Sequence, residues 1–403
     1  MLMSVSLYNW LQSGLTGWGL GAIAVYFLLA TQLTIFAVTL YLHRSQAHRG
    51  VDFHPIIAHL FRFWTWLTTS MITREWAAIH RKHHAKCETA EDPHSPQVLG
   101  IGTVMGSGVE LYRAARADRG SIEKYGKGCP DDWIERHLYT PYATFGPVLM
   151  LVIDVALFGV LGVAVWALHM LWIPFWAAGV VNGLGHWWGY RNFETDDTST
   201  NLTPWAFFIG GEELHNNHHA FPSSSRFALR RFEFDIGWVV IRGLQAVGLA
   251  TVRRVAPQLD IRPNIALPDT DTVRAVLVHR FQVMSDYFRG VIMPTMRAEA
   301  QQAGDSLRGL PRRMRKALVN GGRWLDEDAS NRLREFIAQR PNLATVYEYR
   351  QRLRAVYERS GQNSEAMLES LRLWCREAEA SGNEALARFS ERLKGYALVP
   401  TSA

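Results

Sequence analysis

Residues 17–50 read GWGLGAIAVYFLLATQLTIFAVTLYLHRSQAHRG. The part from Gly17 to Leu42 carries no charge, and it ends on His43 and His48 with Arg44 and Arg49 beside them. A bilayer crossing takes about 20 apolar residues. The stretch therefore predicts a membrane-spanning helix that delivers two imidazoles to one membrane face. It is too long for a signal-peptide core, and no small-residue cleavage site follows it.

Two more spans are expected in the block 143–188, at 143–162 and 166–188, with the chain reversing within 162–169. A further apolar stretch, HPIIAHLFRFWTWLTTSMI at 54–72, is shorter and carries His59 and Arg62. Two further histidine groups follow apolar regions: HRKHH at 80–84 and HNNHH at 215–219. If all the histidines act together, they must lie on one side of the membrane. A crossing at 54–72 would separate His43 and His48 from His80, His83 and His84. That segment is therefore expected to be re-entrant or to lie in the interface as an amphipathic helix. Residues 1–16 contain no Lys or Arg, whereas Arg44, Arg49, Arg81, Lys82 and Lys86 flank the histidines. The positive-inside rule then puts the histidines in the cytosol.

Spacing gives the histidines chemical meaning. Positions i, i+3 and i+4 share one helix face, so HRKHH and HNNHH can each converge three imidazoles. His43 and His48 are five apart and would diverge on a regular α-helix unless it ended or bent between them. Neutral imidazole suits Zn, Cu, Fe and Ni, so ligand type alone does not choose the metal. Eight clustered histidines are too many for one ion and suit two. An isolated histidine near a membrane interface is ordinarily a hydrogen-bonded interfacial residue. That bland reading applies to His54, His59, His137, His169 and His279, while His94 is expected to line the site from a turn.

Composition fits this picture. The chain has 403 residues, a formal charge of +6, 15 Trp, 13 Tyr and 19 Phe. Its apolar content concentrates before residue 190, and the last third is rich in Arg, Glu and Gln. No aromatic-basic RNA motif or zinc-finger spacing is present, so basic residues at span ends explain the charge without nucleic acid. Cys87, Cys129 and Cys375 lack paired spacing and are expected to be reduced.

HRSQAH, HRKHH and HNNHH resemble the three histidine boxes of the membrane fatty-acyl desaturases, particularly the stearoyl-CoA desaturase type. The similarity runs over roughly 41–248 and includes EWAAIHRKHHAKCETAEDPHSP, NGLGHWWGYRNFE and GEELHNNHHAFP. It implies an all-α integral membrane bundle with a cytosolic histidine-rich dimetal cap. A short N-terminal segment (1–16) precedes the membrane desaturase domain (17–260). The resemblance also implies nine histidine ligands: His43, His48, His80, His83, His84, His186, His215, His218 and His219. Asn182 would act through water. It further implies two iron ions, O2 as co-substrate, and a cis double bond at the ninth carbon of a saturated long-chain acyl-CoA. The electrons would come from a separate ferredoxin- or rubredoxin-type donor and its reductase. A bacterial inner membrane, with the site facing the cytosol, is the expected location.

One departure bears on the acyl carrier. Animal acyl-CoA desaturases carry charged residues between the box-two Trp and His, whereas Ala77, Ala78 and Ile79 stand here. An intact lipid is therefore the alternative carrier. A membrane diiron hydroxylase is the alternative enzyme, and a histidine-based metal transporter or sensor is the alternative outside enzymes. Transport sites lie at the midplane in broken helices, whereas these histidines follow span ends. Trp76, Thr73, Trp187 and Trp188 are expected as walls of an acyl tunnel, and Arg191 as a partner for a head group.

From about residue 270 the pattern changes. NLATVYEYRQRLRAVYERS and SEAMLESLRLWCREAEASGNEALARFSERL read as amphipathic helices, expected to form a soluble tail over 270–403. The LPRRMRK run at 310–316 suggests a solvated face or a membrane-surface patch.

Overall fold

The computed structural model describes residues 2–302, 318, 322, 325, 327–358 and 363–399. The LPRRMRK run lies outside them. The chain divides into two compact units: residues 1–191 with 197–256, and residues 192–196 with 257–403. Both are mainly helical.

In the first unit α1 spans Leu20–Phe36 and continues in a wider π-type winding through Ala37–Ala47. α2 is Pro55–Thr69 and α3 is Thr73–Lys86. α4 is the ten-residue Gly108–Ala117. α5 (Phe145–Phe158) and α6 (Leu161–Ile173) pack as an antiparallel pair. A second π-type stretch, Pro174–Val181, extends α6. α7 is the short helix His215–Ala220, and α8 is Ile236–Ala246. Val51–Phe53 (β1) and Ala250–Val252 (β4) pair antiparallel, and Trp205–Ala206 (β2) pairs parallel with Phe234–Asp235 (β3).

Among the described residues, two helices are long and apolar enough to cross a bilayer: Leu20–Ala47, 28 residues, and Leu161–His186, 26 residues. Within the expected 143–162 span lies α5, a 14-residue apolar helix packed on α6. The reversal comes earlier than 162–169. The chain turns at Gly159, whose φ of +64° favours glycine. Gly162 then lets α6 pack on α5, since a Cβ there would stand 2.1 Å from the Asp154 carbonyl oxygen.

α2 is two-faced. It buries Phe61, Arg62, Thr65 and Trp66 and exposes Ile56, Leu60 and Phe63. His54 caps its start by accepting from the Ile56 N–H, and Arg62 makes a two-pronged pair with Asp132 at 2.7 and 2.9 Å.

The second unit holds helices at Thr270–Val278, Pro341–Glu358, Ser364–Ala380 and Glu384–Lys394, among others. Val276, Tyr287, Leu353, Trp374 and Phe389 are in its core.

Candidate metal centre and adjoining cavity

The π-type winding at the end of α1 resolves the spacing of its histidines. A π turn bonds residue i+5 to residue i, and here the His48 N–H donates to the His43 carbonyl at 3.1 Å. The two rings come to 5.0 Å between centroids. α3 supplies His80, His83 and His84 from one face, as the i, i+3, i+4 spacing requires. In HNNHH the asparagines hold α7 in place. Asn201 Oδ1 accepts from the backbone N–H groups of Asn216 and Asn217, and Asn217 Nδ2 donates to the Phe227 carbonyl at 2.8 Å.

The histidines meet in two groups. In the first, the ligating atoms of His43, His48, His80, His84 and His218 all lie within 4.8 Å of one another. Nε2 faces Nε2 at 3.0 Å for His43–His218, 2.8 Å for His48–His80, 3.1 Å for His80–His84 and 2.9 Å for His84–His218. In the second, His83, His186 and His219 gather with Cys87, and His215 Nε2 reaches His186 Nε2 at 3.0 Å.

Four carboxylates stand behind these rings. Glu212 Oε1 lies 2.7 Å from His43 Nδ1, and Asp92 Oδ1 lies 2.9 Å from His83 Nδ1. Glu88 Oε1 is 3.1 Å from His186 Nδ1, and Asp197 Oδ2 is 2.8 Å from His219 Nδ1. Each carboxylate accepts a hydrogen bond from the Nδ1–H of its imidazole, which leaves the Nε2 lone pair free. Glu88 does this from a left-handed backbone, φ +60°, uncommon for a non-glycine residue.

The donor set fits metal. Donors at right angles around an ion about 2.1 Å away stand about 3.0 Å apart, the separation seen between the Nε2 atoms. His219 Nε2 is buried with no hydrogen-bond partner, as an unsatisfied ligand atom would be. Burial, and then the neighbouring imidazoles, hold His48, His80, His84, His215 and His218 well below the usual histidine range. They are neutral, the form that binds metal. Burial also pulls His219 down to about 4 against the pull of Asp197. For His83, burial alone would lower the value, but Asp92, with Asp197 and Glu88, outweighs it and the net direction is upward. Burial, then Asp197, Glu88 and Asp92, push the Cys87 thiol up, against the thiolate a metal would need.

Beside the histidines lies a cavity of about 380 Å³, within the usual range of roughly 300–1,000 Å³ for small-molecule sites. His43, His80, His94 and His215 line it, and Ile35, Val38, Val104, Ile173 and Val181 make much of its apolar wall. Asn182 lines it as well, and the His94 ring stacks on His83 at 4.3 Å. Of the expected wall residues, Trp76 lines the cavity and stacks on His80 at 5.1 Å. Thr73 does not, being buried away from it. Trp187 and Trp188 do not either. They follow the 3₁₀ turn Leu184–His186 and are 47% and 57% exposed. Arg191 is occupied, donating to the carbonyls of Asp197 and Ser199 at 3.0 and 2.7 Å.

Two arginines that sequence reading passed over, Arg113 and Arg116 on α4, line the cavity instead. Arg116 pairs with Glu75, and Arg113 is exposed. Their i, i+3 spacing was the available signal. Of the carboxylates, Glu212 stood three residues before His215 and Asp92 two before His94, but nothing local marked Glu88 or Asp197.

A family model described as fatty acid desaturase matches residues 16–234. A model described as transposase matches residues 274–398, within the second unit. Among curated relatives, delta-9 acyl-lipid desaturase 1 of Arabidopsis thaliana is 30% identical over 219 residues, 53% of this chain and 69% of the relative. Icosanoyl-CoA 5-desaturase of Limnanthes douglasii is 32% identical over 233 residues, 56% of this chain and 63% of the relative. The sn-1 stearoyl-lipid 9-desaturase of Anabaena variabilis is 28% identical over 241 residues, 58% of this chain and 85% of the relative.

Proposed function

The chain belongs to the fatty acid desaturase family, and on that premise we propose that it introduces a cis double bond at the ninth carbon of a saturated long-chain acyl group. The observation that carries this reading is the apolar cavity that opens directly on the inward-facing histidines. His43, His48, His80, His83, His84, His186, His215, His218 and His219 would hold two iron ions, with Asn182 acting through water. Bound iron would supply the O2-derived oxidant that an unactivated C–H bond demands and that no side chain provides.

The protein's own contribution is positional. The cavity would bury the chain beside the histidines and keep water from it. Glu212, Asp92, Glu88 and Asp197 fix ring orientation and tautomer. The exposed Arg113 offers a cation to an anionic head group. With α2 lying in the interface, the histidines face the cytosol and draw electrons from a ferredoxin- or rubredoxin-type donor and its reductase.

Acyl-CoA is the first carrier reading. An acyl-lipid carrier is the second, because Ala77 and Ala78 are 0% and 1% exposed and offer a CoA head no charge. Two of the relatives are also named for lipid substrates. Iron-loaded protein supplied with O2, reduced ferredoxin and either stearoyl-CoA or stearoyl-phosphatidylcholine tests the choice. Product from the thioester alone supports the first reading, product from the lipid alone supports the second, and product from neither refutes both.

A further inference from the structure

A second opening approaches the histidines from another direction. Ser45, Gln46, Arg49, Asp52, Gly128, Arg253 and Arg254 line a surface pocket of about 450 Å³. It shares no lining residue with the apolar cavity. Arg49, Arg253 and Arg254 are exposed, and the pocket's one carboxylate, Asp52, is paired with Arg253 at 2.5 Å. Net positive charge remains. Arg49 directly follows His48, which is half-buried and lies 2.8 Å from His80. One lining residue of the pocket, Arg49, thus adjoins a member of the first histidine group in sequence, while the acyl cavity meets that group through His43 and His80.

Hydrogen bonds tie the wall of the pocket together. The backbone N–H groups of Arg253 and Arg254 both donate to the Gly50 carbonyl, at 2.8 and 3.0 Å. Arg81 ties the same wall together, donating to the carbonyls of Gln46 and Ala47 at 2.6 and 2.9 Å and to those of Tyr125 and Lys127 at 2.7 and 2.9 Å. A preformed cationic recess suits recognition of an anionic partner surface.

We propose that this pocket is the docking surface for an acidic one-electron carrier protein. The inference rests on the desaturase reading. That reaction takes two hydrogens from the chain as its C=C bond forms, and it reduces O2 to two waters. The balance requires two further electrons, delivered singly by the carrier, and two protons from solvent. A donor must approach the metals without crossing the substrate's path. The separation of pocket from cavity provides that, and complementary charge would steer the encounter.

The test measures binding apart from turnover. Fluorescence anisotropy of a labelled plant-type ferredoxin or rubredoxin, both acidic, is recorded against purified full-length protein at low ionic strength. The Arg49→Gln, Arg254→Gln double variant should raise Kd for the carrier by about tenfold, and Arg254→Glu should raise it alone. Wild-type binding should weaken with salt. Metal content and the KM for acyl substrate should be unchanged. Equal binding by wild type and variants overturns the proposal. So does failure of either carrier to bind wild type, or an effect on acyl-substrate KM or anionic-vesicle flotation in place of carrier binding. If carrier binding is charge-dependent but no double bond forms, the docking surface stands and the desaturase reading fails.

Discussion

Arg44 and Asp235 form a two-pronged ion pair with both side chains fully buried, Nη1–Oδ2 at 2.9 Å and Nη2–Oδ1 at 3.0 Å. Arg44 also donates to the carbonyls of Ser225 and Gly210 and lies 3.8 Å over the Phe227 ring. Asp235 caps α8 by accepting from the Trp238 N–H. The pair ties the turn bearing His43 to the loop that follows α7. Removing one partner from a buried pair strands the other charge, at a cost of about 3–5 kcal/mol. Asp235→Asn should therefore lower the thermal midpoint of the detergent-solubilised protein sharply. Arg44→Lys should do nearly as much harm, because an ammonium cannot reproduce the guanidinium fork. A midpoint unmoved by both changes would show that the clamp is unimportant.

The carboxylates behind the rings give a prediction about metal affinity. Glu212→Gln and Glu88→Gln keep side-chain size but lose the charge that orients His43 and His186. Loss of such a partner typically costs about 10–100-fold in metal affinity or activity. Iron titration should show wild-type protein binding two ions per chain and both variants binding more weakly. One ion per chain in wild type, or undiminished binding by His83→Ala with His218→Ala, would refute the two-metal assignment.

Wall and ligand should separate in their effects. Trp76→Ala should alter rate or chain-length preference while iron content holds, since Trp76 lines the cavity and stacks on His80. Trp187→Ala and Trp188→Ala should change neither, because both indoles lie outside the cavity. Loss of iron in Trp76→Ala equal to that in His80→Ala would mean that packing has been mistaken for coordination.

These contrasts mark what the sequence makes legible. The i, i+3, i+4 histidines were readable because helix geometry fixes their direction from spacing alone. His43 and His48 were not, since their convergence depends on a π-type winding that no local pattern announces. Asp197 and Glu88 reach their imidazoles through long-range packing, across 22 and 98 positions. The α5–α6 block read as apolar and paired, but where it reverses was set by Gly159, ahead of the expected turn. Tryptophans beside a ligand suggested a wall; the turn at Leu184–His186 sends Trp187 and Trp188 to the surface.

Sidedness is testable apart from chemistry. Single cysteines introduced as Gln46→Cys and Lys86→Cys, in a background lacking the three native cysteines, should both be labelled from the cytosolic side. Labelling from opposite faces would place a crossing between the first two histidine groups and break the shared site.

The histidine groups and the cavity together are expected to desaturate an acyl chain. This is tested most directly by mass-spectrometric location of double bonds in fatty acids from a desaturase-deficient host expressing the protein. Wild type should add a cis double bond at the ninth carbon from the carboxyl end, and His80→Ala at equal expression should add none. No new double bond with wild type, an alcohol in its place, or an unchanged product with His80→Ala would contradict the account.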